Sequence, residues 1–173
     1  MIEEGSRDSS HGEEGDALRV IATQPSELLT TPGKFKHKAS SVLNRSAEFA
    51  SRNMFDGSVE TCWNSDQGSP QFLSFDFGPG CVVVTSVSMM FQGGFVGQDA
   101  LIEWSNDVSS LQTIAKLDRI EDCNRLQSFE VACEAQPPLG ARYIRVTFPS
   151  STDFYGRVTL YRLELHGWRF AAV

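Results

Sequence analysis

Short stretches in which apolar and polar residues alternate one by one run through most of this sequence. In QFLSFDFG (71–78), Leu73, Phe75 and Phe77 fall on one face, while Ser74 and Asp76 fall on the other. This period of two is that of a β-strand with one buried face. Turn-forming Gly, Pro, Asn and Asp separate the strand-like runs, so the sequence predicts an all-β antiparallel sandwich or barrel. The other runs are CVVVTSVSMMFQ, ALIEWS, RLQSFEVAC, ARYIRVTF and RVTLYRLELHG.

The same alternation predicts which residues share a face within each strand. In the run that begins at Cys81, Val83 and Val87 are expected on one face, with Val84 on the other. In the run that ends near residue 148, Ile144 and Val146 are expected to point the same way.

Two segments lack the period of two. Residues 46–54 (SAEFASRNM) are predicted to form one short helix, with Ser46 as the N-cap and Glu48 in the first turn. Residues 23–38 are predicted to form a loop, because Pro25, Pro32 and Gly33 interrupt any period there.

Length and charge indicate how the chain is organised. A chain of 173 residues suits one domain with its own core. Residues 1–16 contain six acids and one Arg, and so contribute most of the net charge of −7. Such a stretch buries too little apolar surface to fold. The prediction is a disordered acidic tail over 1–16 and a single domain over 17–173, with its core at about 38–167.

Several function classes find no support in the sequence. No clustered basic face is evident, so direct nucleic-acid binding is not expected. No secretory signal or apolar run of membrane-spanning length is visible, which predicts a protein of the nucleus or cytoplasm that is neither secreted nor membrane-bound. The sequence has no paired-acid motif, phosphate loop, metal box or nucleophile–base spacing, so the prediction is a non-enzymatic protein.

The segment ETCWNSDQG (60–68) places Asn64, Asp66 and Gln67 in one polar turn. These residue types close turns through local hydrogen bonds, but loops held by rigid strands are also where binding residues concentrate. Both interpretations stay open. Trp63 in the same segment is expected to be a core residue whose indole N–H has a partner.

Two further loops supply candidate binding residues. FQGGF (91–95) offers Gln92 and Phe95 around two glycines, and TDFYGRV (152–158) offers Tyr155 and Arg157. An Arg157–Asp66 bidentate pair is a hypothesis that would fix the geometry of such a site.

Residues 54–78, with an Asp-Gly turn, Thr61, Trp63 and a strand that ends in Phe-Gly, resemble the discoidin or coagulation-factor C-domain group. The closing LYRLELHG (160–167) also resembles that group. The resemblance implies a galactose-binding-like β-sandwich jelly roll, in which the three polar loops would lie at one end.

A narrower resemblance rests on SSVLNR (40–45), ETCWNSDQG, FQGGF and TDFYGRV. Together these resemble the family of small proteins associated with the testicular orphan nuclear receptor. That resemblance implies a nuclear protein that binds a receptor and represses receptor-driven transcription. The predicted site for such a protein partner is Asn64, Asp66, Gln67, Gln92, Phe95, Tyr155 and Arg157.

Other partner classes stay open. The chain also resembles the Doc subunit of the anaphase-promoting complex at Thr61, Trp63, Ser65, Asp66 and Arg157, which implies degron capture by the same loops. Other members of the fold are carbohydrate-binding modules, so a sugar is an alternative ligand. A third alternative is an assembly subunit that binds through a flat sheet face.

No cofactor is expected, although the resemblance raises calcium. In many proteins of this fold an Asp-Gly turn, a following Thr and an acid on the last strand form a calcium site. Asp56 and Thr61 fit that pattern, whereas Ser58 and Arg162 stand where acids would be. Calcium requires about six to eight oxygen ligands, so these replacements argue against tight binding.

Overall fold

The computed structural model describes residues 25–107, 110–137 and 139–171, which form two facing antiparallel β-sheets. The strands are β1 (Glu27–Leu28), β2 (Lys36–Ala39), β3 (Trp63–Asn64), β4 (Gln71–Asp76), β5 (Cys81–Phe91), β6 (Gly97–Gln98), β7 (Ala100–Ser105), β8 (Gln112–Leu117), β9 (Leu126–Glu130), β10 (Tyr143–Phe148), β11 (Ser150–Ser151) and β12 (Thr159–Phe170). This is the predicted all-β sandwich of the jelly-roll type.

The long strand β12 organises the first sheet. One side of β12 pairs with β5, which in turn pairs with β9, and its other side pairs with β1 near one end and β3 near the other. The second sheet has the order β2-β4-β10-β7-β8, and β6 and β11 form a separate short pair. Because every pairing is antiparallel, the loops gather at the two ends of the sandwich.

Strict alternation in β4 and β10 places their apolar residues in the core. Leu73 and Phe75 of β4 are buried, as are Ile144, Val146 and Phe148 of β10, while their neighbours are partly exposed. This confirms the faces predicted for these two strands. Packing between the two inner faces then supplies most of the apolar burial that stabilises the fold.

The predicted faces of β5 are wrong because the strand pairing contains a bulge. Ser86 pairs with His166, but the next pair along is Val84 with Gly167, so one residue of β5 is left out of the ladder. A bulge shifts the alternation by one position. Val84 and Val87 are therefore both fully buried, although the period of two placed them on opposite faces.

The loop predicted over 23–38 is wrong in part, because β1 and most of β2 lie within it and only residues 29–35 between them form a loop. The single helix predicted over 46–54 is also wrong. Two separate 3₁₀ turns, Ala47–Phe49 and Ser51–Phe55, stand in its place, because Ala50 between them has an extended backbone. The predicted cap is present: the Glu48 N–H donates to Ser46 Oγ at 3.2 Å.

The described strands extend past the approximate core range of 38–167, from β1 to the end of β12 at Phe170. The predicted acidic tail, residues 1–16, lies outside the described residues. Among the helical segments that the structure describes, none is long and apolar enough to cross a membrane.

Candidate functional site

Three segments that the sequence singled out meet at one end of the sandwich. The Gly68 N–H donates to the Tyr155 carbonyl at 2.8 Å, which joins the ETCWNSDQG turn to the TDFYGRV loop. The Gln92 N–H donates to the Thr159 carbonyl, and the Thr159 N–H donates to the Phe95 carbonyl, each at 3.0 Å. The predicted site residues therefore share one end, on loops that are hydrogen-bonded to one another.

The backbone of the ETCWNSDQG turn is held by buried hydrogen bonds. The Ser65 N–H donates to the Val158 carbonyl at 2.9 Å, and the Val158 N–H donates back to Ser65 Oγ at 2.8 Å. The Asp66 N–H donates to Ser41 Oγ at 3.0 Å. Fully buried Trp63 donates from Nε1 to the Ser41 carbonyl at 2.9 Å, which confirms the predicted core role of this residue.

Gln71, at the start of β4, joins two of these loops through one side chain. Its Nε2 donates to the Asp66 and Gly68 carbonyls at 3.1 and 2.8 Å. Its Oε1 accepts from Ser40 Oγ at 2.5 Å and from Ser41 Oγ at 2.8 Å. The side chain thus meets its full hydrogen-bonding capacity out of solvent, which makes the turn rigid.

Gly156 allows the TDFYGRV loop to lie close against the ETCWNSDQG turn and the residue that follows it. Its φ of +79° lies in the left-handed region, and a Cβ there would stand 2.7 Å from Ser69 Oγ and 2.9 Å from the Gly68 carbonyl oxygen. Only glycine allows this approach without a shift of the backbone. The position of Tyr155 relative to the polar turn therefore depends on this glycine.

Arg157 forms its ion pair with Asp153, so the hypothesis of a pair with Asp66 is wrong. Arg157 Nε and Nη2 donate to the two Asp153 carboxylate oxygens at 2.9 and 3.1 Å, and the Arg157 N–H donates to Asp153 Oδ2 at 3.1 Å. The hydrogen bonds from Arg157 hold the pKa of the Asp153 carboxyl below its ordinary value. Asp153 lies four residues before Arg157 on the same turn, so the turn itself brings the two side chains together.

Aromatic rings surround this ion pair. The Arg157 guanidinium carbon lies 5.0 Å from the Phe95 ring centroid and 5.5 Å from that of Tyr155. The Tyr155 ring meets the Phe154 ring edge to face, with centroids 5.3 Å apart. Phe154 is 94% exposed and Tyr155 is 55% exposed, so the loop ends in a projecting aromatic pair.

Phe154 is absent from the residues predicted for the site. The sequence contained a signal, because two consecutive aromatic residues between Asp153 and Gly156, both turn formers, have little core to enter. Asn44 and Arg45, three and four residues after Ser41, are also exposed and adopt left-handed φ values of 52° and 55°. Such backbones cost of order 1 kcal/mol each, and they concentrate at binding loops.

Asn64 adds an acceptor to this end of the molecule. Its Oδ1 is buried and has no hydrogen-bond partner within the described residues, and the same holds for Oγ1 of Thr159, its cross-strand neighbour. Gln67 is exposed, and its N–H donates to Asp66 Oδ1 at 3.2 Å. Asn64 thus differs from its neighbours in the turn, whose polar groups are largely used to close it.

The calcium candidates lie in a different cleft, and they do not fit the ion. Asp56 Oδ1 accepts the Ser58 N–H at 2.8 Å and Oδ2 accepts the Thr61 hydroxyl at 2.6 Å, so both carboxylate oxygens already close the turn. Arg162 lines the adjoining cleft beside Gly57. Within the ranges described, no three His, Cys, Asp or Glu side chains converge as metal ligands would.

Comparison with solved structures identifies carbohydrate-binding modules as structural neighbours. The chain is similar to chitosan-binding module 1 of a chitosanase/glucanase from Paenibacillus sp. IK-5, with a TM-score of 0.63, 23% identity, and coverage of 82% of this chain and 99% of that one. It is also similar to the family 32 module of Clostridium perfringens NanJ, solved with galactose, at a TM-score of 0.63, 17% identity, and coverage of 82% and 99%. These likenesses establish the galactose-binding-like fold.

Comparison of sequences is more specific. No protein-family model matches the chain. The chain is 40% identical over 131 residues to the nuclear receptor 2C2-associated protein of Mus musculus, which covers 75% of this chain and 89% of the relative. It is 44% identical over 131 residues to the Xenopus tropicalis protein of the same name, covering 75% and 91%. The chain therefore belongs to the nuclear receptor 2C2-associated protein family.

Proposed function

We propose that this protein is a non-enzymatic binding module that takes a protein partner on the loops at one end of the sandwich. The observation that carries the proposal is the projecting aromatic pair, Phe154 and Tyr155, on a loop hydrogen-bonded to its neighbours. Exposed aromatic side chains are common anchors of protein interfaces, where each buries a large area at small entropic cost.

The surroundings of the aromatic pair favour recognition of a folded or extended protein surface. The ion pair between Arg157 and Asp153 leaves neither charge without a partner, so a partner protein that covers the rings does not bury an uncompensated charge there. The exposed Gln67 amide at the same end offers a donor and an acceptor to the partner. Apolar anchors with a few fixed polar groups are the usual composition of the centre of an interface.

The names of the relatives identify the first partner to test. They are called nuclear receptor 2C2-associated proteins, so the proposed partner is a nuclear receptor of that class, and the proposed effect is repression of receptor-driven transcription. This partner places the protein in the nucleus, the cytoplasm or both. Imaging of the tagged full chain, with and without the receptor expressed alongside it, tests that placement.

A sugar ligand is the second candidate, because the half-exposed Tyr155 ring and the exposed planar amide of Gln67 lie at the same end of the sandwich. Sugars bind against exposed aromatic faces with planar polar groups at the rim. A glycan array with the full chain tests this function. Binding to a defined glycan that is lost with Tyr155→Ala supports a sugar site.

The decisive experiment uses calorimetry to measure the affinity of the full chain for a purified nuclear receptor of the 2C2 class. The double variant Phe154→Ala with Tyr155→Ala is expected to weaken binding at least tenfold, because both aromatic anchors are removed. Its melting temperature is expected to stay close to that of the wild type, since both side chains are largely exposed.

We call residues 60–68, 91–95 and 152–158 the recognition loops. Leu139→Ala is the matched control, because Leu139 is an exposed apolar residue outside these loops. Loss of binding in the double variant with retention in the Leu139 variant supports the proposal. Equal binding by wild type and double variant overturns the assignment of the loops. Absence of binding by the wild type itself overturns the proposed receptor partner.

A further inference from the structure

The end of the sandwich opposite the candidate site carries a basic cleft. Three of the four lysines of the chain, Lys34, Lys36 and Lys38, lie within five residues in and just before β2. Lys34, Lys36 and Arg142 line a cleft of about 420 Å³ together with Asp76, and Lys38 lines the groove that adjoins it. We call this surface, defined by those five residues, the basic cleft.

The positive charge of the basic cleft is largely uncompensated. Asp76 is the one acid that lines it, and it is bound by Arg142, whose Nε and Nη2 donate to the two carboxylate oxygens at 2.8 and 3.0 Å. The three lysines are exposed, and none lies within 4 Å of a carboxylate of the described residues. Four cations thus face one carboxylate. A cleft of this charge attracts acidic segments.

The strongest acidic segment of the chain is its own beginning. Residues 3–16 (EEGSRDSSHGEEGD) contain six acids and one Arg, so their charge is opposite to that of the basic cleft. The rest of the chain is close to neutral, so residues 3–16 hold most of the net negative charge of the molecule.

The described chain begins beside the basic cleft, at Pro25. Glu27 Oε1 lies 3.6 Å from Arg169 Nε, and the Arg169 guanidinium carbon lies 5.3 Å from the ring centroid of Phe77, which lines the cleft. Asp16 precedes Pro25 by nine residues, a stretch that spans at most about 30 Å when fully extended. The acidic segment can therefore reach the lysines.

We propose that the basic cleft binds the chain's own acidic residues 3–16, so that this surface is covered in the isolated protein. The contact is electrostatic, between several carboxylates and the four cations, and does not require one fixed backbone conformation. An acidic segment of another protein would have to displace residues 3–16 from the cleft before it could bind there.

Zero-length carbodiimide cross-linking of the full chain tests this proposal, since it joins a lysine amine only to a carboxylate in contact with it. The expected products in the monomer link Lys34, Lys36 or Lys38 to acids within residues 3–16. Lys116 is the internal control, because its side chain is also exposed but is paired with Asp99 on another part of the surface. The yield of the links between the three lysines of the cleft and residues 3–16 is expected to fall about tenfold from low to high salt, because salt screens exposed charges.

The variant Glu13→Gln, Glu14→Gln, Asp16→Asn gives a second readout. Acetylation of Lys34, Lys36 and Lys38 is expected to be slower than that of Lys116 in the wild type, and to accelerate severalfold in the variant. Links of residues 3–16 to Lys116 at the same yield as their links to the three lysines of the cleft, or unchanged acetylation in the variant, overturn the proposal. A mixture of isotope-labelled and unlabelled protein settles the origin of the links, and links found only between different molecules overturn it as well.

Discussion

Arg157 illustrates how one side chain fixes the geometry of the candidate site. Its guanidinium binds both carboxylate oxygens of Asp153, and it lies against the rings of Phe95 and Tyr155. A bidentate pair restrains orientation as well as distance. The aromatic residues of two different loops are therefore positioned by one cation, and the cation by one acid.

The Asp153 carboxylate should make stability depend on pH in the acid range. Because Arg157 lowers the pKa of Asp153 in the folded state, the pair stabilises the fold above the ordinary aspartate pKa of about 4. This contribution is lost as the pH falls through the lowered pKa. We expect Asp153→Asn to be less stable than wild type by a constant difference above about pH 5, and the difference to shrink below about pH 4.

Urea unfolding of both proteins from pH 2 to 8 measures this difference. Asp99→Asn removes an exposed ion pair with Lys116 and serves as the control, with a small effect at every pH. A gap between wild type and Asp153→Asn that stays constant down to pH 2 would contradict the assigned cause.

Gly156 provides a second test at the scale of one residue. Gly156→Ala combines a left-handed φ with a Cβ inside contact distance of Ser69 and Gly68, and is expected to lower the free energy of unfolding by about 2–3 kcal/mol. Gly57→Ala is the matched control, because its φ is +78° but no atom lies within 4 Å of the added Cβ. It is expected to cost about 1 kcal/mol. Equal losses in the two variants would show that the contact between the loops contributes little.

At the scale of elements, the conformation of the ETCWNSDQG turn depends on β4, the strand that follows it. Gln71 is 4% exposed and binds atoms of the 40–41 and 66–68 segments at once. The polar turn is thus attached to one end of β4, an interior strand of the second sheet, through the first side chain of that strand. This attachment explains how a segment rich in turn formers can keep one conformation.

Replacement of Gln71 should loosen both segments together. Gln71→Leu leaves the Gly68 carbonyl without this donor, removes one of the two donors of the Asp66 carbonyl, and takes the shared acceptor from the half-buried Ser40 and Ser41 hydroxyls. A loss of about 1–3 kcal/mol is expected. Amide hydrogen exchange is expected to accelerate at residues 66–68 more than in β10. Gln67→Leu, at an exposed position, should change stability by less than about 0.5 kcal/mol. Uniformly faster exchange over the whole domain would instead indicate a global effect.

The elements differ in how well the sequence predicted them. Strands β4 and β10 could be predicted because their alternation is strict and each has one buried face. β2 carried the same signal in KFKHKA, with lysines outward and Phe35, His37 and Ala39 between them, but Pro32 and Gly33 masked it. The bulge in β5 could not be predicted, because register is a property of two paired strands.

The candidate site was predictable to a similar degree. The three loops were identified from their polar composition, and their meeting at one end follows from the fold. The functions of single residues within them were not predictable, because Asn, Asp and Ser serve turns and ligands alike. The ion-pair partner of Arg157 was open for the same reason, since both Asp66 and Asp153 lie on loops at that end.

At the scale of the whole molecule, the two ends of the sandwich differ in chemistry. One end presents an aromatic pair and neutralised charges, and the other presents the basic cleft. Between them, the cleft beside Asp56 holds Arg162 where the fold resemblance implies an acid. The stability of the domain should therefore be independent of calcium.

Thermal unfolding with millimolar calcium or with chelator tests this expectation. A ligand that binds only the folded state raises the melting temperature, so the wild-type value is expected to agree within about 1 °C in the two conditions. The double variant Ser58→Asp with Arg162→Glu supplies two acids and is the comparison. A calcium-dependent rise of several degrees in the wild type would show that the cleft accommodates the ion despite Arg162.

The concentration of three of four lysines in one surface has a practical consequence for measuring the partner. At high salt, where residues 3–16 no longer cover the basic cleft, reagents that couple through side-chain amines will attach the protein to a sensor chip mainly by this surface. Since that cleft is opposite Phe154 and Tyr155, random amine chemistry should give a nearly uniform orientation, with the recognition loops facing the flowing sample. A binding assay with the protein immobilised in this way would measure partners of those loops and would not detect a partner that binds the lysines.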